Sequence, residues 1–416
     1  MSEVLPVSVV VVSRDRPEAL KRCLEGVAQL QYPQFEVVVV ADSDGVAAAQ
    51  AMPFADNLKI VLFELANISQ ARNLGISHAA GEIVAFIDDD AVPEPSWLSY
   101  LVRPFDKPEV ACVGGFVRGR NGISFQWMAR SVDERGATAT VDVNHNRVTV
   151  FRPKGGRAIK TEGTNMAVRR DVLLTLEGFD PGFAFFLDET DLNLRIMRSG
   201  DATAIVPMAQ VHHGFEASPR RRNDRVPRDL FDIGASWAVF QRKYVPERER
   251  LNHWRPIRLA ERRRLVSYMV SGLLEPRDVK RLMRRLDQGY GQGLERQRGG
   301  GQITKSPRAA LRAMPQRAGA SVVLKGRVWQ RARLRREAAH RAERGERVTL
   351  ILLSPTALFH RVRFTSDGYW EQSGGLWGRA VRNEPLFRFQ SFGKRVMREL
   401  LRVAQQRLIN SSDLER

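Results

Sequence analysis

Two cysteines, Cys23 and Cys112, in a chain of 416 residues leave no disulfide framework and no zinc site built mainly from thiolates. No apolar run approaches the roughly 18 residues that a membrane-spanning helix requires. The opening MSEVLPVSVVVVSRDR lacks the basic region of a secretory signal and meets an acidic residue at once. These absences lead to the expectation of a soluble protein in a reducing, cytoplasmic compartment. Lysine is also scarce: of 66 basic residues, 10 are Lys and 56 are Arg, a bias that a GC-rich genome produces without any selection for binding.

What is present is unevenly placed. Residues 1–216 hold 21 Lys and Arg against 28 Asp and Glu, whereas residues 217–416 hold 45 against 19. A strongly basic back half points to an anionic partner such as a membrane face, a nucleic acid or a polyanionic acceptor. At roughly 150 residues per domain the length predicts two or three units. The front half alternates strand and helix signals. Val7–Val12, Phe35–Ala41, Leu58–Leu62 and Glu82–Ile87 read as buried strands. Helices are expected from Asp15 to about Leu30 and over Ser69–Ala80. This pattern predicts an α/β fold, an open sheet with helices on both faces. Ligands of such sheets sit at the carboxyl ends of the strands, here just after Val12, Ala41 and Ile87.

The chemistry-bearing residues fall at those ends. Asp88-Asp89-Asp90 closes an otherwise apolar strand. In extended backbone Asp88 and Asp90 point the same way and Asp89 the other. Two converging carboxylates repel each other unless a hard divalent cation joins them, which suits Mg²⁺ or Mn²⁺. His212 and His213 follow a short strand, and His212 is the preferred third ligand. Asp42, in ADSDG, either accepts from a nucleotide's base or ribose or closes an Asx turn. Arg72 and Asn73 lie near a helix start, where Arg72 and the helix N-terminus suit a diphosphate. FFLDETDLNLR sets Asp188, Glu189 and Asp191 in a first helical turn, either as a capping arrangement or as a general base at a cleft rim.

Taken in order, these segments resemble inverting glycosyltransferases of family 2, of the bacterial non-processive type that includes rhamnosyl- and galactofuranosyltransferases. SRDR is similar to that family's T-x-N-R segment, VVADSDG to its uracil-contacting acid loop, and NISQARNLGI to its A-R-N-x-G segment. GEIVAFIDDDAVPEPSWL resembles the D-x-D segment, and EGTNMAVRRDVLLTLEGFD the G-x-N-x-A-x-R run to G-F-D. DETDLNLRIMRSG resembles E-D-x-D-L-x-x-R, and VHH the terminal metal histidine. The likeness spans about residues 5–245. It implies a GT-A, Rossmann-like nucleotide-diphospho-sugar transferase domain over 1–245. It implies a donor bound by Ser13, Arg14, Asp42, Arg72, Asn73, Asp88, Asp89 and Asn165, and Mn²⁺ or Mg²⁺ held by Asp88, Asp90 and His212. The catalytic set is Glu189, Asp188 and Asp191, with Glu189 or Asp188 as the base because the usual E-D pair stands inverted. The implied partners are a UDP-, dTDP- or GDP-linked sugar and a glycan or lipid-linked acceptor.

Other classes fit less well. A sugar nucleotidyltransferase needs a Gly-rich loop after its first strand, and SRDRPEAL contains no glycine. No zinc-finger or RNA-recognition pattern supports specific nucleic-acid binding. An inactive scaffold, or a protein that binds anionic polymers through its back half, remains as the alternative, against which the intact acids at 88–90 and 188–191 argue. The back half divides into a basic helical region over 246–346 and a small mixed α/β unit over 347–416. In the former, Val279, Leu282, Met283 and Leu286 form an apolar stripe among Lys280, Arg281, Arg284 and Arg285. Such a helix either attaches the protein peripherally to an anionic membrane, at the inner face of the cytoplasmic membrane, or packs on the catalytic domain. Gln288–Gln302 reads as a linker and Arg327–Arg347 as a polar helix.

Overall fold

The computed structural model describes residues 4–214, 216–297, 299, 303, 310–317 and 319–410. Its first elements are β1 (Val7–Ser13), α1 (Pro17–Val27), β2 (Phe35–Ala41), α2 (Ser43–Gln50), β3 (Leu58–Leu62), α3 (Ile68–His78) and β4 (Ile83–Asp88). There follow β5 (Ala91–Pro93), α4 (Trp97–Leu101), β6 (Val110–Arg118), β7 (Phe125–Trp127), β8 (Arg130–Asp133), β9 (Thr138–Thr140), β10 (Thr149–Phe151), β11 (Arg157–Lys160) and β12 (Met166–Arg169). Then α5 (Arg170–Thr175), α6 (Asp188–Arg198) and β13 (Ala202–His213) complete the front half.

The main sheet runs β10-β13-β6-β12-β4-β1-β2-β3. Strands β3, β2, β1 and β4 are parallel, and β12 enters antiparallel between β4 and β6. The valine runs of β1 and β2 occupy central positions because both of their faces are covered. Val9, Val11, Val37 and Val39 face Leu20, Leu24 and Trp97 on one side. Val10, Val38 and Val40 face Ile76, Leu173, Phe179 and Leu192 on the other. This is the mixed α/β, GT-A-like arrangement that the sequence resemblance implies. Strands β11-β8-β9 form a separate three-stranded sheet beside the carboxyl edge.

The back half departs from the sequence expectation. Helices α7 (Phe231–Tyr244), α8 (Arg250–Val270) and α9 (Pro276–Glu295) form one packed group, with Leu230, Trp254, Leu265, Leu282, Met283 and Leu286 as its core. The apolar stripe of α9 is thus spent inside the protein. The expected linker is helical through Glu295, and its residues 298 and 300–302 lie outside the described residues. Gly289 and Gly293 of α9 and Gly234 of α7 explain this. A Cβ at any of the three would strike the facing backbone of the other helix, so small residues set the close approach. Beyond them, β14 (Ser321–Arg327), α10 (Arg331–Glu343), β15 (Arg347–Ser354), β16 (Arg361–Phe364), β17 (Trp370–Gly375) and α11 (Phe392–Arg407) build a second sheet of order β14-β15-β17-β16. This unit therefore takes in residues 321–346, which the sequence analysis assigned to the helical region. Gly374 and Gly375 end β17. No described helix is long and apolar enough to cross a membrane.

The small unit is fastened to the front half by buried charge. Arg407 of α11 reaches Glu94 at 3.0 and 3.2 Å, with side-chain exposures of 2% and 1%. Trp370 packs on His212 at 4.6 Å between ring centroids. Burial alone would raise the Glu94 carboxyl. Arg407 and His212 outweigh it and hold the group at about 2, against an ordinary 4.5. A depressed carboxylate adds stability that is complete above its unfolded value and is lost as pH falls through the folded one, so this contact weakens between about pH 4.5 and 2. Arg407→Met, which strands Glu94, is expected to cost about 3–5 kcal/mol at neutral pH, read as a lower urea midpoint. The double change Glu94→Met with Arg407→Met is expected to recover most of it. Equal midpoints for the wild type and Arg407→Met would remove the pair from the account of stability.

Candidate active site

A cleft of about 520 Å³ opens at the carboxyl edge of β1 and β4. Its floor is the acidic run. Asp88 and Asp90 both line the cleft, as strand alternation requires. Asp89 turns inward, with no exposed surface, and takes Ser13 Oγ at 2.7 Å and Arg16 at 2.6 Å. It therefore supports the β1 loop. Burial pushes its carboxyl up to about 7 despite Arg16. Asp90 goes the other way. Burial would raise it, but hydrogen bonds from His213 and the charge of Arg16 hold it well below the ordinary range.

The third member of the cluster is His213, which replaces the expected His212. Its Nε2 lies 3.1 Å from Asp90, its Nδ1 meets Gln126 Oε1 at 3.1 Å, and its ring rests on Trp127. His212 points to the opposite face of β13, where Nε2 lies 2.7 Å from Glu94. Burial there lowers it to about 4. One ligand atom each from Asp88, Asp90 and His213 falls within 4.8 Å of the others. Two hard oxygens and one imidazole suit Mn²⁺ or Mg²⁺, and the Asp88 side chain keeps 29% of its surface open toward the cleft.

The wall of the cleft is the N-terminus of α6. Phe186 and Leu187, just before it, both have positive φ, at 75° and 67°. Two successive side chains in the left-handed region are strained by about 1–3 kcal/mol each. The surroundings hold them: Ser69 Oγ donates to the Phe183 carbonyl at 2.7 Å and Ser236 Oγ to that of Phe185 at 2.6 Å. The turn aims the first residues of α6 into the cleft, where the helix dipole favours acids. Asp188 is 2% exposed and pairs with Arg72, which also reaches Asp88 at 3.4 Å. Burial pushes the Asp188 carboxyl up, against the pull of Arg72. Glu189 faces Lys160 at 3.2 Å. Burial would raise it, yet Lys160 and Asp188 hold it at about 2. Glu189 is thus the member of the pair whose carboxyl is held low.

Several expected site residues are engaged elsewhere. Asp42 caps α2 by accepting from Gly45 N at 3.0 Å and also accepts from Asp15 N at 2.7 Å. It serves the loop and does not line the cleft. Asn73 brackets Phe179, donating to its carbonyl at 2.7 Å and accepting from its amide at 2.8 Å. Asn165 is wholly buried and ties Trp97, Phe116 and Ala209 together at 2.8–2.9 Å. Asp191 has no exposed surface and binds Arg195, Lys243 and Tyr244, which locks α6 to α7. Arg14 does line the cleft, with its guanidinium on the Glu64 carbonyl. The sequence reading missed Lys160, Thr164, Arg130 and Arg221, all at the cleft. Thr164 Oγ1 donates to Asp88, and its place beside Asn165 in the E-G-T-N segment was the available signal.

The family model for glycosyltransferase like family 2 matches residues 5–229. The chain is 26% identical over 254 residues to the O-antigen biosynthesis protein RfbC of Myxococcus xanthus, covering 56% of this chain and 19% of that one. It is 30% identical over 196 residues to a glucosyl-dolichyl phosphate glucuronosyltransferase of Haloferax volcanii, covering 42% of this chain and 56% of that one. It thus spans less than two thirds of either relative's length. Among solved structures, it is similar to a mannosyltransferase of Pyrobaculum calidifontis in complex with GDP-Man and Mn²⁺, with 20% identity, a TM-score of 0.43, and 70% of this chain and 88% of that one covered. With more than half of its length matched by one family model, over nearly all of the residues that build the cleft, this chain belongs to glycosyltransferase family 2.

Proposed function

We propose that this protein is an inverting glycosyltransferase that uses Mn²⁺ or Mg²⁺. It moves a sugar from a UDP-, dTDP- or GDP-linked donor to a hydroxyl of a glycan or lipid-linked acceptor, in bacterial surface polysaccharide or glycolipid synthesis. The observation that carries this reading is the grouping of Asp88, Asp90 and His213 within 4.8 Å in the same cleft as Glu189. Membership of the family and the names of the two relatives, one of O-antigen biosynthesis and one acting with a dolichyl phosphate, support it.

Asp88, Asp90 and His213 would hold the cation, which when bound supplies positive charge beside the donor's diphosphate. Arg72, fixed between Asp88 and Asp188, keeps both acids in place. Lys160 orients Glu189. Glu189 accepts the proton of the acceptor hydroxyl as that oxygen bonds to the anomeric carbon and the bond to the diphosphate oxygen breaks. A single displacement inverts the anomeric configuration. The test is nucleotide release from a panel of UDP-, GDP- and dTDP-sugars with and without Mn²⁺. Manganese-dependent release from one donor supports the reading. No release from any donor, together with no nucleotide binding by calorimetry, would overturn it and favour the inactive scaffold.

A further inference from the structure

With the stripe of α9 packed inside the protein, a group of five exposed large apolar side chains lies on two neighbouring loops of the small C-terminal unit. Leu358 and Phe359 are 64% and 58% exposed, and Leu386, Phe387 and Phe389 are 63%, 44% and 80% exposed. They sit on two loops that flank one segment. Gly375 N donates to the Leu358 carbonyl and Trp377 N to that of Thr356. On the other side, Gly378 pairs with Phe387 and Arg388 N donates to the Trp377 carbonyl. Trp377, Phe387 and Phe389 form one aromatic cluster, with ring centroids 4.6–6.0 Å apart. The arrangement is built, not frayed, and water does not favour it.

The unpaired charges beside these loops have one sign. Arg361, Arg382, Arg388 and Lys394 are exposed, and no carboxylate among the described residues pairs with them. The nearby acids are occupied: Glu384 by the Ala380 amide, Arg398 and Arg402, and Glu371 by Arg335 and Arg363. A second copy of this chain docking through the same face would press like charges together. An anionic bilayer surface takes both halves of the patch, the rings at the headgroup boundary and the guanidinium groups on lipid phosphates.

We infer that the loops around Phe359 and Phe387–Phe389 are the protein's contact with an anionic lipid surface. The inference rests on the proposed use of a lipid-linked acceptor only for its purpose, since the patch lies outside the donor cleft. The full chain is sedimented with phosphatidylglycerol–phosphatidylcholine vesicles and with pure phosphatidylcholine vesicles. The expected result is binding to the anionic vesicles, weakened at least about tenfold by Phe387→Ser with Phe389→Ser and about tenfold by Arg382→Glu with Arg388→Glu. Both variants are expected to keep donor hydrolysis without vesicles at the wild-type rate. Absence of wild-type binding, or full binding by both variants, would overturn the inference. So would wild-type self-association that the serine variant abolishes, which would give the patch to a second copy. Vesicle binding with neither donor hydrolysis nor nucleotide binding by calorimetry would instead leave this surface standing and overturn the proposed transfer reaction.

Discussion

Glu189→Gln is expected to lower the turnover of sugar transfer by about 10²–10⁴-fold, the range for loss of a general base, with the fold and donor binding retained. The amide keeps the size of the side chain and its contact with Lys160 but cannot take a proton. Asp188→Asn is the informative comparison. Asp188 is buried against Arg72, and Arg72 also holds Asp88. Its loss is therefore expected to disturb donor affinity and the response to metal along with turnover. A drop in kcat alone for Glu189→Gln, and a combined change in kcat and KM for donor with Asp188→Asn, would assign the base to Glu189. The inverted order, with Asp188→Asn losing only kcat and Glu189→Gln close to wild type, would assign it to Asp188. Steady-state transfer to the native acceptor, at saturating and limiting donor, makes the distinction.

The inversion of the acidic pair shows where sequence reading stops. Strands β2 and β3 fall at the residues their apolar runs mark, and Asp88 and Asp90 converge as alternation requires, because both are consequences of local periodicity. The segments that resemble the family were also found, but resemblance does not separate residues that touch a donor from those that hold the site in shape. Asn73, Asn165 and Asp191 all hold the site in shape. Each spends its polar atoms on buried backbone or charge partners, a role that spacing cannot reveal. The back half was less legible for another reason. Its apolar stripe and its glycines were visible, but their partner, α7, is a helix with weak amphipathic character whose buried small residues give little signal. The Glu94–Arg407 pair joins positions 313 residues apart, and nothing local marks either as the other's partner.

The choice between adjacent histidines has the sharpest consequence. Asp90→Ala is expected to reduce turnover by several orders of magnitude and to abolish its stimulation by Mn²⁺, because it removes the carboxylate that also fixes His213. His213→Ala is expected to weaken Mn²⁺ binding at least about tenfold, with partial recovery at high metal concentration. His212→Ala should leave the Mn²⁺ titration in place and lower the urea midpoint, since that ring lies between Glu94 and Trp370. Manganese binding followed by electron paramagnetic resonance reads the site without relying on turnover, and it keeps a loss of metal apart from a loss of base. If His212→Ala abolished metal binding and His213→Ala did not, the face that β13 presents to the cleft would have to be reversed. A one-residue slip in strand register moves every side chain to the opposite face. Such a result would therefore shift not one ligand but the whole edge of the sheet, including Gln210, which bonds to Arg118 on the neighbouring strand.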